Sequence, residues 1–71
     1  MKVWIVHYID DYYQSYEIFD SAVKAYNECV DYIKNCNGIE DCLNELEENY
    51  RIDDEQFGVE DVISVESYKV R

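Results

Sequence analysis

Phe19-Asp20-Ser21-Ala22-Val23-Lys24-Ala25-Tyr26-Asn27-Glu28-Cys29-Val30-Asp31-Tyr32-Ile33-Lys34-Asn35-Cys36 is the stretch on which the fold turns. Ala22, Tyr26, Cys29, Ile33 and Cys36 recur at alternating steps of four and three residues, and Val23 and Val30 widen the stripe. That period makes one face of a helix apolar. Lys24, Asn27, Glu28, Asp31, Lys34 and Asn35 fill the opposite face. Asp20 or Ser21 supplies the N-cap, and Phe19 packs back on the first turn. Asn37-Gly38 offers a left-handed stop, so the expected helix runs from about residue 21 to 36.

Working outward, Lys2-Val3-Trp4-Ile5-Val6-His7-Tyr8-Ile9 is β-branched and aromatic almost throughout, dense enough for an inner strand with both faces apolar. Asp10 and Asp11 interrupt it, and Tyr12 to Phe19 resumes the β-prone pattern, which makes the first 19 residues a hairpin. Beyond the helix, Ile39, Cys42, Leu43, Leu46 and Tyr50 mark a second, shorter amphipathic pattern among Glu40, Asp41, Glu45, Glu47 and Glu48. It is marginal alone and must lean on the first helix or the sheet. Arg51-Ile52 suits a brief extended stretch, Asp53-Asp54-Glu55 a turn or a cap, and Gly58 a change of direction. Val62 to Val70 reads as a closing strand. The expectation is one α+β domain spanning 1–71, a three-stranded antiparallel sheet in the order 2-1-3, with a long helix and a shorter acidic helix on one face.

A chain of 71 residues has room for one small core. Ordering costs of about 1.5 kcal/mol per residue nearly cancel what burial returns at this size, and dimerisation would help. The three cysteines make a poor staple. Cys29 and Cys36 lie roughly 10 Å apart along a helix, beyond disulfide reach. Cys36 and Cys42 could meet across a turn, but free, partly buried thiols in a reducing cytosol are the expectation.

Charge is the most informative feature. Residues 40–61 hold ten acids against Arg51 alone, a net −9 of the chain's −11. So acidic a protein is unsuited to binding nucleic acid or an anionic membrane directly, because that affinity comes from basic groups displacing counterions. Concentrating carboxylates costs self-repulsion that no fold requires. Two uses fit: a solvated face, or a docking surface for a basic partner made of Glu40, Asp41, Glu45, Glu47, Glu48, Asp53, Asp54 and Glu55. On a helix Asp41, Glu45 and Glu48 fall on neighbouring turns roughly 5 to 6 Å apart, similar to successive phosphates of a nucleic-acid strand.

Other chemistries find less support. A calcium loop starting at Asp53 would place Phe57 fifth and Ser64 twelfth, where oxygen ligands and a bidentate glutamate belong. Cys29, Cys36, Cys42 and His7 contain no Cys-x-x-Cys pair for zinc. His7, the single histidine, lies in a strand with no serine near it, so neither catalysis nor a cofactor or metal is expected. Of the eight tyrosines, several cluster on the hairpin, where Trp4, Tyr8, Tyr12 and Tyr16 form a candidate dimer face if they are not spent on cross-strand packing.

The opening Met1-Lys2-Val3-Trp4-Ile5-Val6-His7-Tyr8, its acidic break, the second strand and the Phe19-Asp20-Ser21-Ala22 helix start resemble the small hairpin-then-helix proteins of bacteriophage and mobile-element genomes, over about the first 36 residues. With its acidic segment the chain is similar to phage-type anti-defence inhibitors, including anti-CRISPR and DNA-mimic proteins, although its aliphatic-tyrosine hairpin departs from mimics that are acidic all over. The resemblance implies a non-enzymatic inhibitor, cytoplasmic in the host cell, whose partner is a basic, nucleic-acid-binding defence protein such as a CRISPR effector. A small homodimeric assembly protein using the aromatic sheet face is the alternative.

Overall fold

A computed structural model describes residues 1–9, 15–35 and 40–70. Its elements are β1 (Lys2–Tyr8), β2 (Ser15–Phe19), α1 (Ala22–Lys34), α2 (Glu40–Ile52), β3 (Gln56–Val59) and β4 (Ile63–Lys69). The Asp10-Asp11 break, Tyr12, Tyr13, Cys36 and the Asn37-Gly38 stop lie outside the described residues.

β1, apolar on both faces, is paired on both edges: antiparallel to β2 with Ile5 opposite Ile18, and antiparallel to β4 with Val6 opposite Val65. The sheet has four strands in the order β2-β1-β4-β3, not the expected three in the order 2-1-3. The additional strand, β3, pairs antiparallel with β4 at the edge. It is four residues long with a glycine inside, too short to declare a period of two. Gly58 is what lets it form. Its φ is 149°, and a Cβ there would stand 2.4 Å from the Ile63 carbonyl oxygen and 2.9 Å from the Ser64 Cα.

The second helix also differs from expectation: α1 and α2 are both 13 residues long. Arg51 and Ile52 continue the helix, and the Asp53 N–H still donates to the Asn49 carbonyl at 3.0 Å. α1 begins where Ser21, in extended conformation, accepts the Lys24 N–H on its Oγ at 3.2 Å. Ala25, Cys29 and Ile33 are its fully buried residues, Tyr26 and Val30 are half-buried, and Val23, expected on the stripe, stands out in solvent at 58% exposure.

Alternation sends Trp4, Val6 and Tyr8 of β1, Phe57 and Val59 of β3, and Ile63 and Val65 of β4 toward the helices, where they meet Leu46 of α2 and the buried stripe of α1. Each aliphatic side chain buried there contributes about 1.5–3 kcal/mol. Tyr50 fixes α2 in place, its ring 4.5 Å from that of Tyr26 and edge-on to Phe57 at 5.0 Å. Both helices thus cover one face of the sheet. No described helix is long and apolar enough to cross a membrane.

Candidate functional site

The 3.6-residue period turns Leu46 fully inward and Cys42, Leu43, Asn49 and Tyr50 partly so, which leaves Glu40, Asp41, Glu45, Glu47 and Glu48 of α2 exposed. Asp53, Asp54 and Glu55, in the connection to β3, are exposed as well. All eight acids picked out by sequence therefore sit on the outer side of α2 and the loop that leaves it.

Four of them already have work. The Glu47 carboxylate pairs with Arg51 one turn on, at 3.0 Å, and Glu55 pairs with Lys2 of β1. Asp53 folds its own loop, its Oδ1 accepting the Glu55 N–H at 2.9 Å. Glu45 reaches the β3–β4 turn, where its Oε2 accepts the Glu60 N–H at 3.0 Å. Among the described residues, the carboxylates of Glu40, Asp41, Glu48 and Asp54 have no hydrogen-bond or ion-pair partner. Asp41 and Glu48 lie seven residues, two helical turns, apart on one face of α2, about 10 Å along the axis.

Where α2 lies against β3 the surface is concave, a groove of about 600 Å³. Glu45, Asp53, Glu60, Asp61 and Glu66 bring carboxylates to it, no lysine or arginine does, and Ile52 stands at its side 78% exposed. Glu60 and Asp61 belong to the acidic segment of the sequence, but only the β3–β4 turn brings them alongside Glu45. That turn holds Asp61 at φ 65°, a left-handed conformation that aspartate tolerates better than most residues.

The aromatic residues do not assemble as the sequence suggested. Trp4 and Tyr8 turn to the helix side: the Trp4 indole donates to the Asp54 carbonyl at 2.9 Å, and the Tyr8 hydroxyl donates to Glu28 Oε2 at 2.5 Å with its ring 5.0 Å from that of Tyr32. Burial, and then the Glu28 carboxylate, hold the Tyr8 hydroxyl protonated far above the usual tyrosine range. Tyr16 lies on the other face of the sheet, beside His7, and Tyr12 is outside the described residues. A shared dimer face of Trp4, Tyr8 and Tyr16 does not exist because even-numbered residues of β1 face the helices.

Cys29 and Cys42 carry free thiols, and burial pushes that of Cys29 up to about 12, so it is no thiolate nucleophile at neutral pH. Among the described residues no three His, Cys, Asp or Glu side chains converge to hold a metal ion.

Fold and surface together define a small α+β protein with an acidic helical face. No family model, curated protein or solved structure matches the chain at a significant level.

Proposed function

We propose that this chain is a non-enzymatic binding protein that sets the outer face of α2 and the loop after it into a basic groove of a protein that handles nucleic acid, as a phage-encoded inhibitor of a host defence protein such as a CRISPR effector would. The observation that carries this is the set of exposed acids without internal partners, Glu40, Asp41, Glu48 and Asp54, on a segment whose net charge is −9. A carboxylate that holds a turn or an ion pair is accounted for by the fold. These four hold no such contact and add repulsion, although Glu40 and Asp41 do favour the first turn of α2. On a partner lined with arginine and lysine the same charges speed association and align the complex.

Affinity capture from a host lysate, at low and high salt and with duplex DNA as competitor, tests it. The expected partner is a basic nucleic-acid-binding protein that salt releases and DNA displaces. Capture that ignores both salt and DNA, or that recovers no such protein, overturns it.

A further inference from the structure

The face of the sheet turned away from the helices is uncovered by any described element. An antiparallel sheet that meets water on one side puts apolar residues inward and polar residues outward. β3 and β4 follow that rule with Gln56, Ser64 and Glu66 outward, but β1 and β2 do not. Val3 and Ile5 of β1 and Tyr16 and Ile18 of β2 point outward, because Trp4, Val6 and Phe19 point to the helices. Tyr68 of β4, opposite Val3, carries the surface onto a third strand. Ile5 is paired directly with Ile18, and the Tyr16 ring lies 6.3 Å from that of His7, so these side chains form one patch. Tyr16, Ile18 and Tyr68 are 64%, 58% and 46% exposed.

Charge selects the occupant. Of the outward strand positions among the described residues, only Glu66 bears a charged side chain, in a chain with 17 acids and six bases. Its carboxylate accepts the Tyr68 hydroxyl at 2.7 Å. A basic partner would find almost nothing to pair with here. A second copy, bearing the same net charge of −11, is repelled least across the one face that is nearly free of it.

We propose that this face packs on its own counterpart in a second copy, about a two-fold axis, as a sheet-on-sheet dimer. β1 and β4, seven residues each, are about 23 Å long and β2 and β3, with five and four, are shorter, so at a spacing of about 4.8 Å the sheet presents roughly 370 Å² in projection, and side-chain relief adds to that. Two copies then bury on the order of 1,000 Å², the lower bound for a specific interface. The proposal is independent of the acid row of α2, which lies on the helix side.

Sedimentation velocity from low-micromolar to near-millimolar protein, at low and high salt, tests it. The expected result is a dimer that tightens as salt rises, because screening removes repulsion while apolar contact remains. Ile18→Glu is expected to weaken association by about tenfold or more with unchanged circular dichroism, and Glu48→Lys to leave it intact or strengthen it. On dilution the Ile5 and Ile18 methyl resonances should shift while those of Leu46 stay; these report on the native chain, so they decide the matter even if Ile18→Glu fails to fold. A monomer at the highest concentration and salt overturns the proposal, as does a dimer whose dilution shifts fall on α2 or which survives both Ile18→Glu and Tyr68→Ser.

Discussion

Two residues of the β3–β4 hairpin use the left-handed half of backbone space, and the physics of each predicts an opposite response to substitution. Gly58 has β4 backbone where a side chain would begin, so Gly58→Ala must push the strands apart or unpair them. A loss of about 2–4 kcal/mol is expected, a large share of the stability of so small a domain, read by urea denaturation. Asp61, with φ 65°, pays a steric penalty that glycine would not, and it adds a carboxylate to an acidic groove. Asp61→Gly should stabilise by up to about 1 kcal/mol on the same assay. Cys29 gives a third residue-scale test. Its thiol titrates near 9 when exposed and near 12 in the fold, so below pH 9 the preference for the protonated form is fully satisfied in both states. As pH rises from 9 toward 12 the unfolded chain sheds the proton first, and stability falls. Melting curves of Cys29→Ala should therefore start lower at neutral pH, because a small cavity is left, and decline less steeply over that alkaline window than those of the unsubstituted chain.

At the scale of the element, α2 does two jobs with alternate side chains. Its inner face supplies Leu46 and Tyr50 to the core, and along one flank Asn49 donates to the Gly58 carbonyl at 2.7 Å while Glu45 takes the Glu60 N–H. Asn49 satisfies a backbone group of the edge strand β3, which would otherwise be open to another strand, and Glu45 ties α2 to the β3–β4 turn. Glu45→Lys and Glu48→Lys are thus separable. The first removes a hydrogen-bond acceptor and should cost about 0.5–1.5 kcal/mol, offset in part by relieved repulsion. The second loses no described partner, should leave the melting temperature equal or slightly higher, and should weaken partner binding. Equal affinity in a folded Glu48→Lys protein would make that part of α2 a solvated face. For comparison, Ile33→Ala in the buried stripe of α1 should cost about 2–5 kcal/mol. The helices were legible because apolar periodicity over a dozen residues is hard to produce by accident. β3 was not, since Phe57 and Val59 are two inward residues around a glycine whose necessity appears only once β4 lies against it. The facing of β1 was equally hidden: Trp4, Val6 and Tyr8 on one side and Val3, Ile5 and His7 on the other are both rich enough in apolar groups to be the inner one. The acidic segment could be read as charge, but which carboxylates the fold consumes depends on turns that bring Glu45 to Glu60 and Lys2 to Glu55.

For the whole molecule the balance of charge makes salt the decisive variable. The described ion pairs, Lys2 with Glu55, Lys24 with Asp20 and Arg51 with Glu47, are all exposed, and exposed pairs contribute little. Against them stands a net charge of −11 on a body whose longest dimension is 39 Å. At 0.01 M salt the screening length is about 30 Å, so nearly every excess carboxylate feels every other; at 0.1 M it is about 10 Å and only neighbours interact. Repulsion therefore outweighs the pairs, and its relief should raise the melting temperature by about 4–8 °C for each kcal/mol recovered between those conditions. Dimerisation would raise it in the same direction, so the measurement belongs on Ile18→Glu at low micromolar concentration, where association is suppressed. A melting temperature that falls with salt would mean that the ion pairs dominate and that the acidic surface is tolerated at no cost. A rise, with partner binding weakening over the same range, would show that the carboxylates oppose the fold and serve the complex.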